Sequence, residues 1–474
     1  MSRMMKTIAV AAFAVTANGC SDFLSGDKLD SDPNRPTTAE ASQLFIAMQV
    51  NSYYILNGHA ARVIAMWMQQ MAGTDRQYRG YDQYSITEGL FTEYSSAYTG
   101  GGLIDMRTIQ ADAEESGNLV LAGITKVWEA LVMGFVADMY GNAAYSQAVD
   151  GSANPTPVLD NQMDIYAALQ LVLDDAITDL SSGQGSVGSL DLSLGGNAQA
   201  WVRVAHTLKA RLYLHTAEVN QTAYQQALAQ LCTGAALSSC TLGVATSGGD
   251  LNEFHSSSSG EENIWWQFIA RDRDSYMRPG KFLVDLMNTR NDPRRSEYLQ
   301  LNDAGVYGGA APGEGLDAVK HSNLGLTRLD PGYHQPIVTN QETLAIIAEA
   351  AYRTSNFTLA RAALDALIAT YGGSAVGGGL SGAALLTRIL EEKYIALFQN
   401  FEVFNDWKRT CYPNLVPANQ TYGGNIPARF TYPIAERTSN PDNVPVPGEQ
   451  PRRNANDPVN ATSASGAACN GQKP

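Results

Sequence analysis

The stretch from Lys126 to Leu180 decides the fold, because it contains two amphipathic helical patterns joined by a loop with prolines. It reads KVWEALVMGFVADMYGNAAYSQAVDGSANPTPVLDNQMDIYAALQLVLDDAITDL. In the first pattern apolar residues recur at steps of three and four, and Gly141 follows as a helix stop. The second pattern begins after Asp160 or Asn161 as its N-cap. Neither helix can bury its apolar stripe alone, so the pair predicts a helical solenoid.

Similar periodicity predicts helices on both sides of this stretch and far downstream. The predicted helices are at residues 38–57, 60–72, 88–115, 197–218 and 281–289, then from residue 340, at 356–371 and at 384–407. Thr339 with Glu342 makes a capping box before the helix that starts at residue 340. Residues 181–196 are rich in Gly and Ser, which is typical of a flexible connector. Between residues 231 and 336 the periodicity fades, so we predict an irregular, loop-rich part between two sets of helices.

The N-terminus is typical of an export signal. Arg3 and Lys6 precede a short apolar run, and residues 1–19 end in a small residue directly before Cys20. This arrangement resembles a bacterial lipobox, in which Cys20 would be diacylated and would anchor the protein in a membrane. The alternative is a soluble secreted protein in which Cys20 is incidental. No apolar run is long enough to span a bilayer.

Composition agrees with a secreted protein that does not bind nucleic acid. The formal net charge of −15 repels phosphate backbones. An apolar fraction of 44% is ordinary for a folded chain. Besides Cys20, the chain contains Cys232, Cys240, Cys411 and Cys469, and we predict disulfides between the first two and between the last two. No CxxC pair supports zinc or thioredoxin-type chemistry.

A loop rich in tyrosine follows the second predicted helix. It reads TDRQYRGYDQYSITEG, and Tyr78, Tyr81 and Tyr84 recur in it every three residues. A tyrosine ring offers a flat apolar face and a hydroxyl group at low entropy cost, which suits the CH-rich face of a sugar ring. The loop is therefore a candidate ligand platform. The alternative is that these rings pack the loop onto the helices.

No catalytic constellation stands out. Acidic doublets such as Asp174-Asp175 place neighbours on different helix faces, unlike an acid/base pair. The sequence has no GxSxG, P-loop or HExxH motif, and its six histidines have no metal-ligand spacing. DSDPN at residues 30–34 could chelate calcium, but nothing supplies the rest of such a loop. We therefore predict no enzymatic activity, no metal and no cofactor.

Several blocks of the sequence resemble the SusD/RagB family of outer-membrane lipoproteins. DMYGNAAYSQA at residues 138–148 and the helix that follows residue 160 resemble the family's core, with Ala144 where the family usually has proline. The other blocks are WVRVAHTLKARLYLHTA at 201–217, NDPR at 291–294, EKYIALFQNFEVFNDWKRTCYP at 392–413 and IPARFTYPIAERTSNPDN at 426–443. Their order along residues 20 to 445 makes the resemblance specific.

The resemblance implies a mainly α fold, a TPR-like solenoid of helix pairs with a loop-rich, irregular ligand-binding subdomain. It divides the chain into a signal peptide (1–19), a tether (20–37), an N-terminal helical part (38–230), a loop-rich central part (231–338), C-terminal TPR-like helices (339–410) and an irregular Pro-rich segment (411–474). Family members place ligand-facing aromatic residues in the central part as well as in the early loops. The candidate ligand-binding residues are Trp67, Asp75, Tyr78, Tyr81, Tyr84, Trp266 and Tyr307. Trp265 is a further candidate, and we expect one of the two adjacent tryptophans to pack in the core.

The resemblance also implies a function. The protein would be a lipid-anchored outer-membrane protein that faces the cell exterior, binds an oligosaccharide or similar nutrient and passes it to a SusC-like TonB-dependent transporter. Two alternatives stay open. One is a secreted glycoside hydrolase, and the other is a peptide-binding or purely structural scaffold of the cell envelope.

Overall fold

Helices make up most of the chain in the computed structural model, which describes residues 41–418, 426–451 and 453–457. The helices are α1 (Ala41–Asn57), α2 (His59–Trp67), α3 (Arg76–Asp82), α4 (Glu93–Tyr98), α5 (Leu103–Ser116), α6 (Leu119–Tyr140), α7 (Gln162–Ser181), α8 (Ala198–His215), α9 (Ala223–Leu231), α10 (Ile264–Trp266), α11 (Lys281–Thr289), α12 (Arg295–Tyr298), α13 (Asn340–Arg353), α14 (Phe357–Ala369), α15 (Gly382–Ala396), α16 (Glu402–Thr410) and α17 (Ile434–Ser439). The short strands are β1 (Met71–Gly73), β2 (Leu251–Asn252), β3 (Met277–Pro279) and β4 (Pro336–Val338). The predicted signal peptide, tether, Cys20 and DSDPN segment lie outside the described residues.

Helices α6 and α7 form the pair that the sequence predicts. The Asn118 side chain caps α6 by accepting a hydrogen bond from the Leu121 amide, and Asn161 caps α7 in the same way. Gly141 ends α6 at φ 79°, where a β-carbon would lie 2.7 Å from the Asn454 side-chain oxygen. Helix α6 packs against α5, α7 and α8, so its apolar surface is covered on several sides.

Contrary to the expectation that no apolar run is long enough to span a bilayer, helix α6 has the length and composition to cross a membrane, with a mean hydropathy of 1.7. Most of its residues, however, are buried inside the protein, from Val120 to Tyr140. The same properties are therefore those of a core helix, around which its neighbours are arranged.

A second group of helices packs downstream. Helix α13 contacts α9, α14 and α15, and their apolar residues form one buried cluster that includes Ile346, Leu364 and Ile389. The Thr339 hydroxyl caps α13 by accepting from the Glu342 amide at 3.1 Å, as the sequence predicts, whereas the Glu342 carboxylate pairs with Arg211. Helix α8 contacts α6 and α7 of the first group and α13 of the second. The predicted mainly α fold of stacked helix pairs is confirmed.

Two predicted helices are each divided in two. The helix predicted at 88–115 is interrupted between α4 and α5, where Gly101 adopts φ 78°. Three successive glycines there weaken helical propensity. The helix predicted at 384–407 is interrupted between α15 and α16, where Gln399 adopts φ 65°. Asn400 then caps Glu402 and donates to the Ile337 carbonyl oxygen, so tertiary contacts fix this break.

Two other predicted segments differ from the structure. The helix predicted at 60–72 ends at Trp67, since Gln69 turns at φ 53° and the chain continues into β1. The Gly- and Ser-rich connector is held in place by side chains. The buried Asp191 carboxylate accepts hydrogen bonds from three amides of the connector and, at 2.7 Å, from the Trp201 ring nitrogen. Gln49 binds the same segment from α1.

A buried imidazole connects helices from distant parts of the chain. His215 of α8 lies between two carboxylates, with Nδ1 2.9 Å from Asp138 of α6 and Nε2 2.7 Å from Glu402 of α16. Asp138 also accepts hydrogen bonds from the Tyr166 hydroxyl of α7 and from Asn405. All three charged side chains are at most 3% exposed. One buried cluster thus joins four helices.

Two further ion pairs extend this cluster. Arg211 of α8 donates from Nε and Nη2 to both carboxylate oxygens of Glu342, each at 2.6 Å. Arg409 of α16 pairs in the same way with Glu349 of α13. Such bidentate ion pairs fix the angle between two helices as well as their distance. The helices before and after the central loops are therefore fixed to each other.

The two carboxylates keep His215 charged despite its burial. Burial acts to lower the pKa of His215, but the charges of Asp138 and Glu402 outweigh it and raise the pKa to about 9. Burial would raise the pKa of Glu402, yet His215 and Arg211 lower it to about 2. The cluster is therefore an imidazolium held by two carboxylates throughout the neutral pH range.

Replacing His215 with Gln is expected to destabilise the protein by about 3–5 kcal/mol, because two buried carboxylates lose the cation between them. In the wild type, the pKa of His215 in the folded state lies above its usual 6.5. Its contribution to stability is therefore fully present below pH 6.5 and is lost as the pH rises through about 9. Melting temperatures at about pH 6 and about pH 10 for both proteins measure the two effects.

The matched control is the same substitution at His334, which is exposed. It should leave the melting temperature and its pH dependence near those of the wild type. A His215→Gln protein that melts like the control at both pH values would contradict the role assigned to the cluster.

Candidate ligand-binding surface

A short antiparallel strand pair brings together two segments that are far apart in sequence. β1 pairs with β3, and the contact continues where the Thr74 amide donates to the Tyr276 carbonyl at 2.8 Å. The Ser275 hydroxyl donates to Asp75 at 2.8 Å, across 200 residues of sequence. This hydrogen bond lowers the pKa of Asp75. The segment predicted as a tyrosine-rich loop, in which Arg76–Asp82 instead form helix α3, and the central segment therefore form one surface.

Aromatic rings from both segments meet on this surface. Tyr78 lies at the centre, with ring centroids 4.7 Å from Phe268, 5.5 Å from Tyr81 and 5.8 Å from Tyr276. We call these four rings the aromatic patch. Tyr78 is buried, whereas the other three are half-buried and present part of each ring to solvent. His59 supports the patch from α2, with Nδ1 3.0 Å from the Tyr78 hydroxyl.

A buried cation lies against the aromatic patch. The Arg62 guanidinium is 4.3 Å from the centre of the Phe268 ring, and its Nε donates to the Tyr78 hydroxyl at 3.1 Å. Arg62 is only 8% exposed. His59 is neutral, because its own burial and, to a smaller extent, the charge of Arg62 lower its pKa to about 3. Arg62 thus fixes the orientation of the Tyr78 and Phe268 rings from the buried side of the patch.

Polar and charged side chains surround the aromatic patch. Residues Gln267–Asp272 form a π-helix, a rare conformation that is frequent at functional sites. Within it the Arg271 guanidinium lies 5.9 Å from the half-buried Trp266 ring. Arg273 lies 5.7 Å from the Tyr276 ring. The guanidinium groups of Arg271 and Arg273, which also donate to Asp272, therefore stand beside half-buried rings.

A third segment closes one side of the surface. The Arg79 guanidinium donates to the Gly313 carbonyl at 2.9 Å, and the Gly313 amide donates to Asp82 at 2.7 Å. The Leu316 amide donates to the Thr74 carbonyl. Asp82 is almost fully buried, and its burial raises its pKa to about 8. The loop around residue 313 is therefore tied to α3 through one exposed and one partly buried hydrogen bond.

The structure removes two of the predicted ligand contacts. Trp67 is fully buried and packs edge-on against Tyr84, Phe404 and Phe430. Tyr84 is 2% exposed, and its hydroxyl accepts a hydrogen bond from the Ala418 amide. Both rings fill the space between the tyrosine-rich loop and the helices, so neither offers a face to a ligand. For Tyr84 the alternative of loop packing is the correct one, and Trp67 is a core residue at the end of α2.

Of the remaining candidate ligand-binding residues, some lie at the aromatic patch and others lie away from it. Asp75, Tyr78 and Tyr81 lie at the aromatic patch, although Tyr78 is a buried support. Trp265 is fully buried and Trp266 is half-buried, so one of the two adjacent tryptophans packs in the core. The structure places Tyr307 beside Arg295 of α12, with 5.4 Å between guanidinium and ring centre. No described contact joins it to the aromatic patch.

Sequence reasoning missed Phe268, Tyr276 and Arg62. The first two lie in the stretch WWQFIARDRDSYMR, where aromatic and charged residues alternate without helical periodicity. The tyrosine-rich segment has the same mixture of aromatic and charged residues, and this similarity could have marked Phe268 and Tyr276 as candidates. Arg62 lies in the helical pattern of α2, where an arginine reads as a surface residue. Nothing in the sequence signals its burial.

The carboxyl groups near the aromatic patch are poorly placed for acid–base catalysis. A general acid needs a raised pKa and direct access to the substrate. Asp82 and Glu93 have raised pKa values because they are buried, but both are at most 1% exposed. Asp75 is accessible, but its pKa is lowered by the Ser275 hydrogen bond. The described surface is therefore suited to binding.

One group of described side chains is close enough together to hold a metal ion. The ligand atoms of Asp138, His215 and Glu402 lie within 4.8 Å of one another. Each ring nitrogen of His215 faces a carboxylate oxygen at 2.7 to 2.9 Å, which is hydrogen-bond distance. This geometry is that of a charged imidazole between two carboxylates.

One of the two predicted disulfides is present among the described residues. Cys232 and Cys240 are joined by a disulfide, which closes the loop after α9. Cys411 is also in a disulfide. Cys469 lies outside the described residues, so the pairing predicted for it with Cys411 stays a prediction.

Two large cavities lie away from the aromatic patch. One, of about 790 Å³, is lined by Gly141, Tyr432 and the segment that follows Pro441. The other, of about 560 Å³, is lined by Tyr98, Ile104 and Glu436. No ring of the aromatic patch lines either cavity. These two cavities are therefore separate from the aromatic patch.

Comparisons with known proteins identify the family. The SusD-like family model, described as starch-binding and associating with the outer membrane, matches residues 33–433. A chitin-binding SusD homologue from Flavobacterium johnsoniae is 18% identical, with a TM-score of 0.72 over 89% of this chain and 99% of that chain. A SusD homologue from Bacteroides uniformis is 19% identical, with a TM-score of 0.70 over 85% and 94%. No curated protein matches the chain.

A SusD/RagB family protein from Bacteroides thetaiotaomicron is also similar, with 20% identity and a TM-score of 0.64 over 85% of this chain and 95% of that chain. At these identities the solved structures establish the fold. The family model spans both groups of helices and all three segments of the candidate surface. The chain therefore belongs to the SusD-like family, whose fold is a TPR-like arrangement of helices.

Proposed function

We propose that the protein binds an oligosaccharide at the cell surface and does not transform it. The aromatic patch carries this proposal, because half-buried rings of Tyr81, Phe268 and Tyr276 stand beside exposed arginine side chains. Ring faces stack on the CH faces of sugars, and the guanidinium groups donate to hydroxyls. A family described as starch-binding and a chitin-binding relative support a glycan as the ligand.

The cellular role extends this proposal. The protein is anchored in the outer membrane by acyl chains on Cys20, faces the cell exterior and passes its ligand to a SusC-like TonB-dependent transporter. The family's association with the outer membrane supports the location. The helical frame would contact the transporter while the aromatic patch holds the glycan. Closing of the complex would then convert binding into uptake.

Two alternatives predict different observations. A secreted glycoside hydrolase would release products from a glycan, and the buried position of the raised-pKa carboxyls near the aromatic patch speaks against it. A peptide-binding or structural scaffold would bind no glycan. Incubation of the purified protein with chito- and malto-oligosaccharides, followed by chromatography, separates catalysis from binding.

Replacing Tyr81 with Ala is expected to weaken oligosaccharide binding by about tenfold, because one stacking face is lost. Tyr81→Phe should bind within about twofold of the wild type if the ring face carries the contact. Trp266→Ala should also weaken binding. Isothermal titration with chitohexaose and maltohexaose measures these effects.

The matched control is Tyr352→Ala, on α13, where another half-buried tyrosine packs against Phe357. It should bind like the wild type. Tyr78→Ala is a poor probe, since Tyr78 is buried and its loss would disturb the patch itself. If Tyr81→Ala and Trp266→Ala both bind as the wild type does, the ligand site lies elsewhere.

Replacing Cys20 with Ser is expected to move the mature protein from the membrane fraction to the soluble fraction, because the acyl chains would have no attachment point. Expression of the full chain in a host that processes bacterial lipoproteins, followed by fractionation, tests this. The control removes two other thiols, Cys232→Ser with Cys240→Ser, and should stay in the membrane fraction. A wild type that is soluble would contradict the proposed anchor.

A further inference from the structure

A small polar cavity lies where the central loops meet α12, α13 and α14. Its volume is about 260 Å³. Its walls include Arg294, Arg328, Tyr333 and Tyr371, together with Asp250. No ring of the aromatic patch lines this cavity, so it is a separate feature of the molecule. Two of its wall residues are buried arginines, which is an unusual lining for a cavity of this size.

The first arginine has one donor group without a protein acceptor. Arg294 is 3% exposed, and its Nε and Nη2 atoms donate to Asp292, with a further bond from Nη2 to Glu392 at 2.7 Å. Its Nη1 atom has no acceptor in the protein. The guanidinium lies 3.8 Å from the centre of the Tyr371 ring, which also lines the cavity. The charge is thus fixed against one wall.

The second arginine is held by weaker contacts. Arg328 is 5% exposed, and its hydrogen bonds to Gln399 at 3.3 Å and Glu297 at 3.4 Å are both long. Its Nε atom has no acceptor. Its guanidinium lies 4.4 Å and 5.1 Å from the ring centres of Tyr298 and Tyr333. A buried donor without an acceptor costs about 1–3 kcal/mol, and a ligand oxygen would relieve that cost.

The chemistry of the walls and the size of the cavity define a ligand class. A guanidinium matches the planar fork of a carboxylate better than any other side chain does. Thr339, Gln341 and Thr370 also line the cavity and supply polar groups for a ring that carries hydroxyls. Drug-sized ligands occupy about 300–1,000 Å³, so a cavity just below that range holds a single ring. We propose that this cavity binds a single-ring sugar acid of the hexuronate type, with its carboxylate directed to Arg294 and Arg328.

The acidic neighbours of the cavity affect this binding. Burial raises the pKa of Asp250 to about 7, and the nearby charge of Glu342 adds to the effect. The other titratable groups that line the cavity are Arg294, Glu297, Tyr298, Arg328, Tyr333 and Tyr371. Asp250 gains a proton as the pH falls through about 7, which removes a negative charge that repels the ligand. Binding should therefore strengthen from about pH 8 to about pH 6.

Isothermal titration of the mature protein with D-glucuronate tests the proposal, with D-glucose and acetate as partial probes. Glucuronate supplies both the ring and the carboxylate, so it should bind at least about tenfold more tightly than either partial probe. Equal binding of glucose would show that the arginines are not used. Equal binding of acetate would show that the ring is not held. Either result, or no binding of glucuronate, would overturn the proposal.

Two variants separate recognition from folding. Arg328→Lys keeps the charge but loses the planar fork, so binding should weaken by about tenfold or more. Glu297→Gln removes the carboxylate that competes for Arg328, so binding should tighten by about threefold. A folding defect cannot tighten binding, and weaker binding by Glu297→Gln would contradict the assignment.

The controls lie outside the cavity. Arg361→Lys changes an arginine on α14 whose Nε donates to the Leu380 carbonyl, and it should bind glucuronate like the wild type. Tyr81→Ala should also leave glucuronate binding unchanged, because Tyr81 does not line the cavity. Loss of glucuronate binding in Tyr81→Ala would place the sugar acid on the aromatic patch and overturn the separate site.

Discussion

The buried imidazolium of His215 is the constraint on which the frame depends. An ion in the protein interior is tolerated only with its counter-charges in contact. Here those counter-charges are Asp138 and Glu402, and the latter lies 187 positions further along the chain. The helices that carry these side chains can therefore approach one another in only one arrangement. Arg211 and Glu342 extend the same requirement to α13.

A frame fixed in this way allows the loops to be irregular. Short strands and side-chain hydrogen bonds hold the central loops, and there is little regular structure between α9 and α13. The hydrogen bonds of Asp82 to Gly313 and of Asp75 to Ser275 are local examples. The helices thus supply stability, and the loops are able to carry polar and aromatic groups suited to recognition. The rings of the proposed ligand surface accordingly lie outside the long apolar helices.

The sequence predicted the frame much better than the surface. Apolar periodicity located α6, α7 and α8 closely, because apolar residues recur at helical spacing in all three, although α6 is buried on nearly every side. It failed at Gln399 and Gln69, where a left-handed turn is fixed by contacts with distant segments. It also took Trp67 and Tyr84 for ligand contacts, since the sequence does not show whether an aromatic residue at a helix end or in a loop faces solvent or the core. The pairing of β1 with β3 joins segments 200 residues apart, which no local pattern encodes.

That strand pair has a consequence for how recognition can diversify. β1 and β3 are held to each other through main-chain groups, and each is only three residues long. Backbone pairing places few demands on the identity of the residues that follow β1 or precede β3. Related chains can therefore carry different aromatic and charged residues beside the β1–β3 pair while the helical frame stays the same. The same fold can therefore recognise different ligands through changes in the two short segments that follow β1 and precede β3.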